Sequence, residues 1–451
     1  MCLEVKVVKA LAINACVLIL CLNMAWAEAY ATDEASQIML DLSSSKIDAT
    51  SAIRVKIFPH DRDYKPQGLD PVKDHIQVES DQACTQYAGS SERAVSSGPI
   101  LQRAKTFSFR AQELQQPAYL VCPAGFRLIR QGVPAQQSYR YKGRLYVRAV
   151  AGQLEAINIV GLEEYLRGVV PSEVYREWPM ETLKTQAVAA RTYAVYHLVF
   201  SRRYNADRLW DVDDTINFQA YTGVEQHGPR TDEAVKQTEG EILTYQGQVI
   251  QAYYHADSGG QTEEALAVWN QSVPFAVSRS EASDLELSPS AWERRLSLAE
   301  LDRDFKAMGW LEKDQTLRQI VVPTVGRTPT GRVRSLTLID QKGRAKLVPF
   351  SVFRRAANSL PSQLFAIERD PKQTSQILIK GLGNGHGVGM SQMGAAALAA
   401  KRAWSYRQIL DYYYVRTTLC TLGDPGANGL PNCREESSRF AAERSELGSS
   451  G

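Results

Sequence analysis

A glutamate and a histidine lie in sequence surroundings that suit chemistry. Glu173 follows Pro171 and Ser172 on what is predicted to be a short connection between two helices, and His386 lies within the glycine run 381–389. A glutamate held rigidly beside apolar groups can keep its proton near neutral pH and act as a general acid. Glycines around His386 let the backbone and the imidazole approach a ligand closely. The plainer alternatives are a solvated turn glutamate and a structural histidine.

The helix after Glu173 is predicted from its start signals and its apolar stripe. Pro179 follows Trp178 at the helix start, where proline loses no useful hydrogen bond, and Glu181 in the first turn suits the helix dipole. The stripe recurs at spacings of three and four, and half of it is alanine, so a packing partner can come close: Met180, Leu183, Ala187, Ala190, Ala194 and Leu198. This predicts a core helix over 179–198, preceded by a short helix from Leu162.

Strand patterns surround this helix pair. Segments 53–58 and 139–160 alternate as strands, and a hairpin is predicted to turn at 246–247 and to run through His255 into the loop 257–260. Strands are also predicted over 318–354. Helices are predicted over 231–238, 286–316, 394–402 and 405–414. The expectation is an α+β fold, with antiparallel strands and a few packed helices that form a cleft.

Composition excludes some classes of protein. The 451 residues carry 52 Lys and Arg against 50 Asp and Glu, a net charge of +2 that does not indicate a nucleic-acid binder. The glycine run lacks the Lys-Ser/Thr ending of a phosphate loop, and neither βαβ spacing nor an acidic partner supports a dinucleotide fingerprint. No cofactor is predicted.

The N-terminus reads as a targeting segment. Lys6 and Lys9 precede the apolar run 10–22, and Ala25 and Ala27 fit a small-x-small cleavage site. A signal peptide over 1–27 is predicted, with a retained membrane anchor as the alternative. Either way the protein is expected to be exported, to the periplasm or the cell wall.

Four cysteines remain beyond that segment: Cys84, Cys122, Cys420 and Cys433. An even number in an exported chain predicts disulfides, with three possible pairings, of which one joins nearest neighbours. Free buried thiols are the alternative. None lies between 123 and 419, so the central region has no thiolate nucleophile. The predicted organisation is a β-rich or irregular region over 28–138, a catalytic domain over 139–418, and a disordered tail with a possible disulfide loop over 419–451.

Four motifs occur in a fixed order: EEYLRGVVPSEV, WPMETLKTQAVAARTY, YYHADSGGQTE and GNGHGVGMSQMGAAALA. Together they make residues 139–418 resemble the stage II sporulation protein D family. The resemblance implies action on bacterial peptidoglycan, as a lytic transglycosylase that cleaves glycan strands or as a wall protein that assists an amidase. The family's catalytic glutamate falls on Glu173. A zinc set of some members is not carried over, because only His227 lies in the corresponding region.

The leading hypothesis is an exported lytic transglycosylase that leaves 1,6-anhydro-muramic acid ends, with Glu173 as acid and then base. Asp213, Asp214 and Asp257 are the candidates if a second carboxylate takes part, as in ordinary glycosidases. The candidate substrate-binding residues are Ser172, Arg191, His255, Asp257, Ser258, Gly259, Gly260, His386, Gly387, Ser391 and Gln392.

Two other functions compete with this hypothesis. One is a non-enzymatic wall-binding protein that enhances an N-acetylmuramoyl-L-alanine amidase. The other is a metal hydrolase using His227, His255 and His386, although no HExxH-like spacing supports it. We expect no metal, peptidoglycan glycan strands as the partner, and no nucleic acid.

Overall fold

A computed structural model describes residues 40–41, 51–57, 75–87, 99–130, 138–205, 207–281, 290–369, 373, 375–422 and 432–433. The predicted targeting segment and most of the predicted tail lie outside these residues. Strands and helices are segregated along much of the chain, which confirms the α+β class. Among the helices of the described residues, none is both long and apolar enough to cross a membrane.

The largest sheet has nine strands, in the order β10-β2-β9-β8-β5-β3-β6-β7, with β4 paired to β3. Alternate residues of β2 (Ile53, Val55 and Ile57) are buried, as expected for a strand with one face on the core. Strands before and after residue 139 belong to this one sheet. The strands are β2 (Ala52–Ile57), β3 (His75–Tyr87), β4 (Ile100–Arg110), β5 (Ala118–Val121), β6 (Phe126–Arg130), β7 (Arg140–Tyr141), β8 (Arg144–Val150), β9 (Gln153–Gly161) and β10 (Val212–Asp213).

Two helices follow β9 directly and pack with the sheet. They are α1 (Leu162–Glu173) and α2 (Met180–Tyr204), and α2 extends beyond the predicted end at residue 198. The predicted stripe of α2 is in the core: Leu183, Ala187, Ala190, Ala194 and Leu198 are fully buried. Met180 and most residues of the connection 174–179 before it are exposed or partly exposed, so this end of the helix lies at the edge of the core.

A second sheet lies against α2 and carries the C-terminal strands. Its order is β1-β12-β11-β21-β22. The strand Thr418–Thr421 thus includes the first residues of the tail predicted over 419–451. The remaining elements here are β1 (Leu40–Asp41), α3 (Pro229–Gln237), β11 (Glu241–Tyr245), β12 (Gln248–Val249), β21 (Thr418–Thr421) and β22 (Asn432–Cys433).

Nearest-neighbour disulfide pairing is confirmed for Cys84 and Cys122, whose sulfurs are joined. Cys420 is disulfide-bonded as well. In the β21–β22 ladder the residue directly opposite it is Cys433.

The prediction for the second strand of the hairpin is wrong in part. The strand β12 ends at Val249, and β13 (Tyr254–His255) pairs in parallel with β20 (Met390–Ser391) instead of continuing the hairpin. This parallel pair joins two motifs that lie far apart in the sequence. The nearby helices are α4 (Ala265–Trp269), α7 (Gln392–Arg402) and α8 (Tyr406–Tyr413).

Residues 290–382 form a module with its own core. The prediction of a helix over 286–316 is wrong in its first part, where residues 291–297 form a strand paired with residues 376–382. The partly buried Trp292 and Leu296 are four positions apart, a spacing that fits a helix as well as a strand. The predicted strand region likewise ends in a helix at Phe350. The module comprises β14 (Ala291–Ser297), α5 (Leu298–Ala307), β15 (Leu317–Val321), β16 (Ser335–Asp340), β17 (Ala345–Pro349), α6 (Phe350–Ala356), β18 (Phe365–Arg369) and β19 (Gln376–Leu382).

Candidate active site

Glu173 is the last residue of α1, not part of the connection between the helices as predicted. Its carboxylate oxygen Oε1 accepts a hydrogen bond from the backbone N–H of Ala220 at 2.6 Å. The side chain is partly exposed, whereas Val170 and Pro171 in the same turn are buried. A buried helix and a distant loop therefore hold this carboxylate at the edge of the core.

Three tyrosines lie near Glu173, of which Tyr165 and Tyr193 are buried and Tyr254 is partly exposed. Burial raises the pKa of Tyr165, Tyr193 and Tyr254, and the nearby charge of Glu173 raises each of them further. The hydroxyls are therefore protonated at neutral pH and can donate hydrogen bonds near the carboxylate. Each of the three tyrosines lies within one of the four sequence motifs, although none of them is among the predicted site residues.

Gln219 fixes two of these tyrosines. Its Oε1 accepts from the Tyr165 hydroxyl at 3.2 Å, and its Nε2 donates to the Tyr254 hydroxyl at 2.9 Å and to the Ala190 carbonyl of α2 at 3.2 Å. Gln219 is fully buried and precedes Ala220, the residue that donates to Glu173. One short segment thus positions both the tyrosines and the carboxylate.

Ser172 links α1 to the same loop. Its hydroxyl donates to the Gly168 carbonyl at 2.7 Å and shares a hydrogen bond of 2.8 Å with the Thr222 hydroxyl. A Cβ on Gly168 would lie only 2.5 Å from the Gly223 carbonyl oxygen, so the helix and the loop can meet only at glycine. These contacts make Ser172 a positioning residue beside Glu173.

The three candidate second carboxylates differ in their surroundings. Asp257 accepts from the backbone N–H groups of Gly259 at 2.8 Å and Ser290 at 2.6 Å, which commits both its oxygens to loop structure. The charge of Asp214 acts on buried Tyr141 and Tyr221. Asp213, like Glu173, raises the pKa of Tyr193, so both carboxylates lie near its hydroxyl. Among the three, Asp213 is the one that shares a partner with Glu173.

The two glycine-rich loops are joined backbone to backbone. Asp257 and Asn384 exchange two hydrogen bonds of 2.9 Å, next to the parallel pair of β13 and β20. Gly260 and Gly385 have φ of 106° and 113°, a region that L side chains rarely adopt. The structure thus places side by side two loops that both contain candidate substrate-binding residues.

The imidazoles of His255 and His386 lie side by side, with ring centroids 5.4 Å apart. Nδ1 of His386 accepts from the Val388 N–H at 3.0 Å, and Nδ1 of His255 lies 3.1 Å from the Val388 carbonyl. Burial lowers the pKa of His386 to about 4 and that of His255 well below its usual range, so both rings are neutral at pH 7. The ring centroid of the exposed Trp269 lies 4.9 Å from that of His386, so the indole extends the surface formed by the two imidazoles.

Several residues expected to bind substrate instead hold the interior together. Arg191 is fully buried and makes two 2.7 Å hydrogen bonds to Glu163, so its predicted contact with substrate is wrong. Gln392 is buried and donates to Gln186 of α2 at 3.3 Å. Gly387 is buried against the Arg332 guanidinium. The partly exposed members of the predicted set are Ser172, Gly259, Gly260 and His386.

Glu281 connects the two remaining serines, and no sequence pattern had singled it out. Its carboxylate accepts from the Ser258 hydroxyl at 2.6 Å and the Tyr413 hydroxyl at 2.5 Å, and a Ser391 hydrogen bond also stabilises its charge. Its N–H donates to the Gly260 carbonyl at 2.8 Å. Ser258 and Ser391 are fully buried in this network, so they support the loops and do not face substrate.

The three histidines of the metal hypothesis do not assemble. His227 lies near Glu164 and Asp232, away from the His255–His386 pair. Within the described ranges, no group of three or more His, Cys, Asp or Glu side chains is arranged to hold a metal ion.

Comparison with known proteins identifies the class to which this fold and site belong. Residues 150–245, which include Glu173, match the family described as Stage II sporulation protein, and residues 280–389 match a domain of unknown function, DUF8618. The chain is 31% identical to stage II sporulation protein D of Bacillus subtilis over 284 residues, covering 59% of this chain and 76% of that protein. The chain belongs to the stage II sporulation protein D family.

Two further relatives extend the comparison. An uncharacterized protein of Brachyspira hyodysenteriae is 34% identical over 277 residues, which cover 61% of this chain and 70% of that protein. The amidase enhancer of Bacillus subtilis is 30% identical over 296 residues, which cover 56% of this chain and 40% of that protein.

Proposed function

We propose that this protein is an exported lytic transglycosylase that cleaves peptidoglycan glycan strands with Glu173 as the acid and base. The observation that carries the proposal is the fixed position of the Glu173 carboxylate, held by the Ala220 N–H at the end of a largely buried helix and near Tyr165, Tyr193 and Tyr254. General acid catalysis requires a proton donor in a defined position next to the scissile bond, and a carboxyl group can serve as one. Family membership supports the coarser conclusion, a role in the cell wall and in sporulation.

The chemistry balances with one carboxylate. Glu173 donates its proton to the glycosidic oxygen as the bond from the muramic acid C1 breaks, and the sugar takes on oxocarbenium character. The resulting carboxylate takes the proton of the same sugar's 6-hydroxyl, whose oxygen bonds to C1. Because the attack is intramolecular, the effective molarity reaches roughly 10⁵ M or more. No water is consumed, and the product end is a 1,6-anhydro ring.

A binding surface for the glycan is proposed at the joined loops. Neutral His386, the exposed Trp269 and the backbone of Gly259 and Gly260 combine hydrogen-bonding groups with an aromatic face. Sites for small ligands typically have this composition of apolar surface and a few polar groups. The hydroxyl and N-acetyl groups of the glycan suit it because they are uncharged and can form hydrogen bonds.

Export is part of the proposal. The apolar run 10–22 between basic residues and small residues is typical of a signal peptide. The Cys84–Cys122 disulfide supports an oxidising compartment, because such bonds are rare in the cytosol.

The second candidate is a non-enzymatic protein that enhances a peptidoglycan amidase. The likeness to the Bacillus subtilis amidase enhancer favours it. In that case the surface around His386 would bind glycan, and Glu173 would serve binding alone.

One experiment separates the two candidates. The purified protein without residues 1–27 is incubated with glycan strands, with and without stem peptides, and the strand ends are counted by mass spectrometry. New ends support the transglycosylase. Intact strands, together with faster amidase release of stem peptides in a parallel assay, support the enhancer.

A further inference from the structure

The module 290–382 has structural features that the candidate active site does not use. Two three-stranded sheets, with orders β14-β19-β18 and β15-β16-β17, enclose a separate core. The outer strands β15 and β18 each pair on one side only within the described chain. An edge strand with an unpaired side presents N–H and C=O groups that can bind another extended segment.

Both open edges line the same cavity. It has a volume of about 690 Å³ and extends along all of β15, against Ile367–Arg369 of β18, and against the first turns of α5. Ligand sites commonly have volumes of about 300–1,000 Å³. A five-residue extended segment is about 17 Å long, which is the length of β15 itself. We call this cavity the edge slot.

Its lining suits an extended peptide. Buried Leu317 and Ile320 with partly exposed Val321 and Ile367 supply apolar contacts. Amide side chains that can both donate and accept hydrogen bonds lie among them: Gln319, Gln341 and Gln376. This mixture fits a strand whose side chains alternate between apolar and polar.

The lining of the edge slot holds two acidic and two basic side chains. Its two acidic residues are already engaged, Asp302 with Lys306 at 2.7 Å and Glu368 with Lys380 at 2.9 Å. Asp302 also accepts from the Leu317 N–H at 2.7 Å.

The two basic side chains of the edge slot are arginines. Arg318 and Arg369 line it and are exposed, and they form no ion pair with any other described residue. The β15–β16 ladder shifts register between Leu317 and Gln319, so Arg318 lies at a β-bulge, a feature that often redirects a side chain.

We propose that the edge slot binds an extended segment of a partner protein in which acidic and apolar residues alternate, and that this segment adds a strand to β15 or β18. Main-chain hydrogen bonds supply affinity in this mode of recognition, and the side chains supply specificity. Arg318 and Arg369 select acidic side chains, since an arginine binds a carboxylate through two parallel hydrogen bonds. The proposal is independent of glycan cleavage by Glu173.

The test uses the full protein without residues 1–27 and a fluorescein-labelled hexapeptide of alternating valine and glutamate. Binding is measured by fluorescence anisotropy at an ionic strength of about 0.15 M, which screens distant charges. We expect saturable binding, and slower hydrogen exchange at 317–321 or 367–369 when the peptide is bound. The double variant Arg318→Glu/Arg369→Glu should bind at least about tenfold more weakly. The matched control Arg355→Glu changes an exposed arginine of α6 outside the slot and should bind normally.

Two altered peptides separate strand addition from simple charge attraction. A peptide with lysine in place of glutamate should not bind, and one with N-methylated backbone amides should bind at least about tenfold more weakly, since it keeps the charges but loses main-chain donors. Equal binding of the N-methylated peptide would show a non-specific cationic surface and overturn the proposal. So would equal binding of the lysine peptide, equal loss in the control variant, or no binding at about 1 mM peptide.

Discussion

The Ala220 N–H donates to Oε1 of Glu173, 47 positions earlier in the sequence, at a distance of 2.6 Å. The orientation of the proposed catalytic group therefore depends on the loop before residue 220. Gln219, whose side chain bonds to Tyr165, Tyr254 and α2, anchors that loop in the core. The carboxylate and its tyrosine surroundings thus form one coupled unit.

Glu173→Gln should abolish strand cleavage without unfolding the protein. The glutamine carbonyl can still accept from Ala220, but it cannot donate a proton to the leaving oxygen. The expected loss of rate is roughly 10²–10⁴-fold, measured by release of muropeptides from glycan strands. The matched control Glu177→Gln changes an exposed glutamate of the neighbouring connection and should retain the rate. A folded Glu173→Gln protein with normal cleavage would contradict the assignment.

The cleavage ends should carry 1,6-anhydro rings, lighter than hydrolysed ends by the mass of one water. The Asp213→Asn variant should then cleave at a rate within a few-fold of the parent, because no second carboxylate is needed to position water. The asparagine oxygen can still accept from the Thr215 N–H, as Asp213 does at 2.9 Å. Mass spectrometry of the ends and the rate of the variant are measured together. Reducing ends with an inactive Asp213→Asn variant would instead make the enzyme a two-carboxylate hydrolase.

Glu281→Ala should destabilise the protein substantially. The substitution leaves the Ser258 and Tyr413 hydroxyls without their acceptor and opens a cavity in a buried network. The expected loss in the free energy of unfolding is roughly 2–4 kcal/mol, measured by denaturant titration. Glu281→Gln should cost less because it keeps one acceptor oxygen and the shape. Exposed Glu264→Ala is the matched control, and equal losses in both alanine variants would refute the structural role of Glu281.

Removal of the Cys84–Cys122 disulfide should lower stability. The bond closes a loop with a sequence separation of 38, and the chain-entropy relation gives about 4 kcal/mol for such a loop. The Cys84→Ser/Cys122→Ser variant is compared with the parent protein by thermal and denaturant unfolding. An unchanged midpoint would mean that the unfolded chain is not constrained by this bond.

Stability should fall as the pH is lowered from about 6.5 towards 4. Burial lowers the pKa of His386 to about 4 and that of His197 to about 3, so folding favours their neutral forms. Their contribution is complete above the unfolded pKa of about 6.5 and is lost as the pH falls through the folded values. Burial raises the pKa of Glu281, so titration of this carboxyl group increases stability as the pH falls, opposite to the histidines. The measurement is therefore made in the Glu281→Gln variant, which lacks that titration.

NMR titration checks the same point directly. The His386 and His197 ring signals should not move between pH 7 and about 5.5. A midpoint near 6.5 for either ring would show that folding does not favour its neutral form.

Local patterns in the sequence were sufficient for some parts of this protein. The alanine stripe of α2 predicted a core helix because a helix turns once every 3.6 residues, and each alanine of that stripe is buried. The four motifs and their order predicted the family. These signals lie within short windows, where residue type and period directly reflect local conformation.

Other features were decided only by the tertiary structure. Arg191 and Gln392 looked available for substrate, yet they bond to Glu163 and Gln186, which lie 28 and 206 positions away. Gln219 and Glu281 gave no local signal, because their roles depend on partners brought together by α1, α2 and the joined loops. A side chain's exposure and hydrogen bonds are set by long-range packing, which residue type and periodicity do not encode.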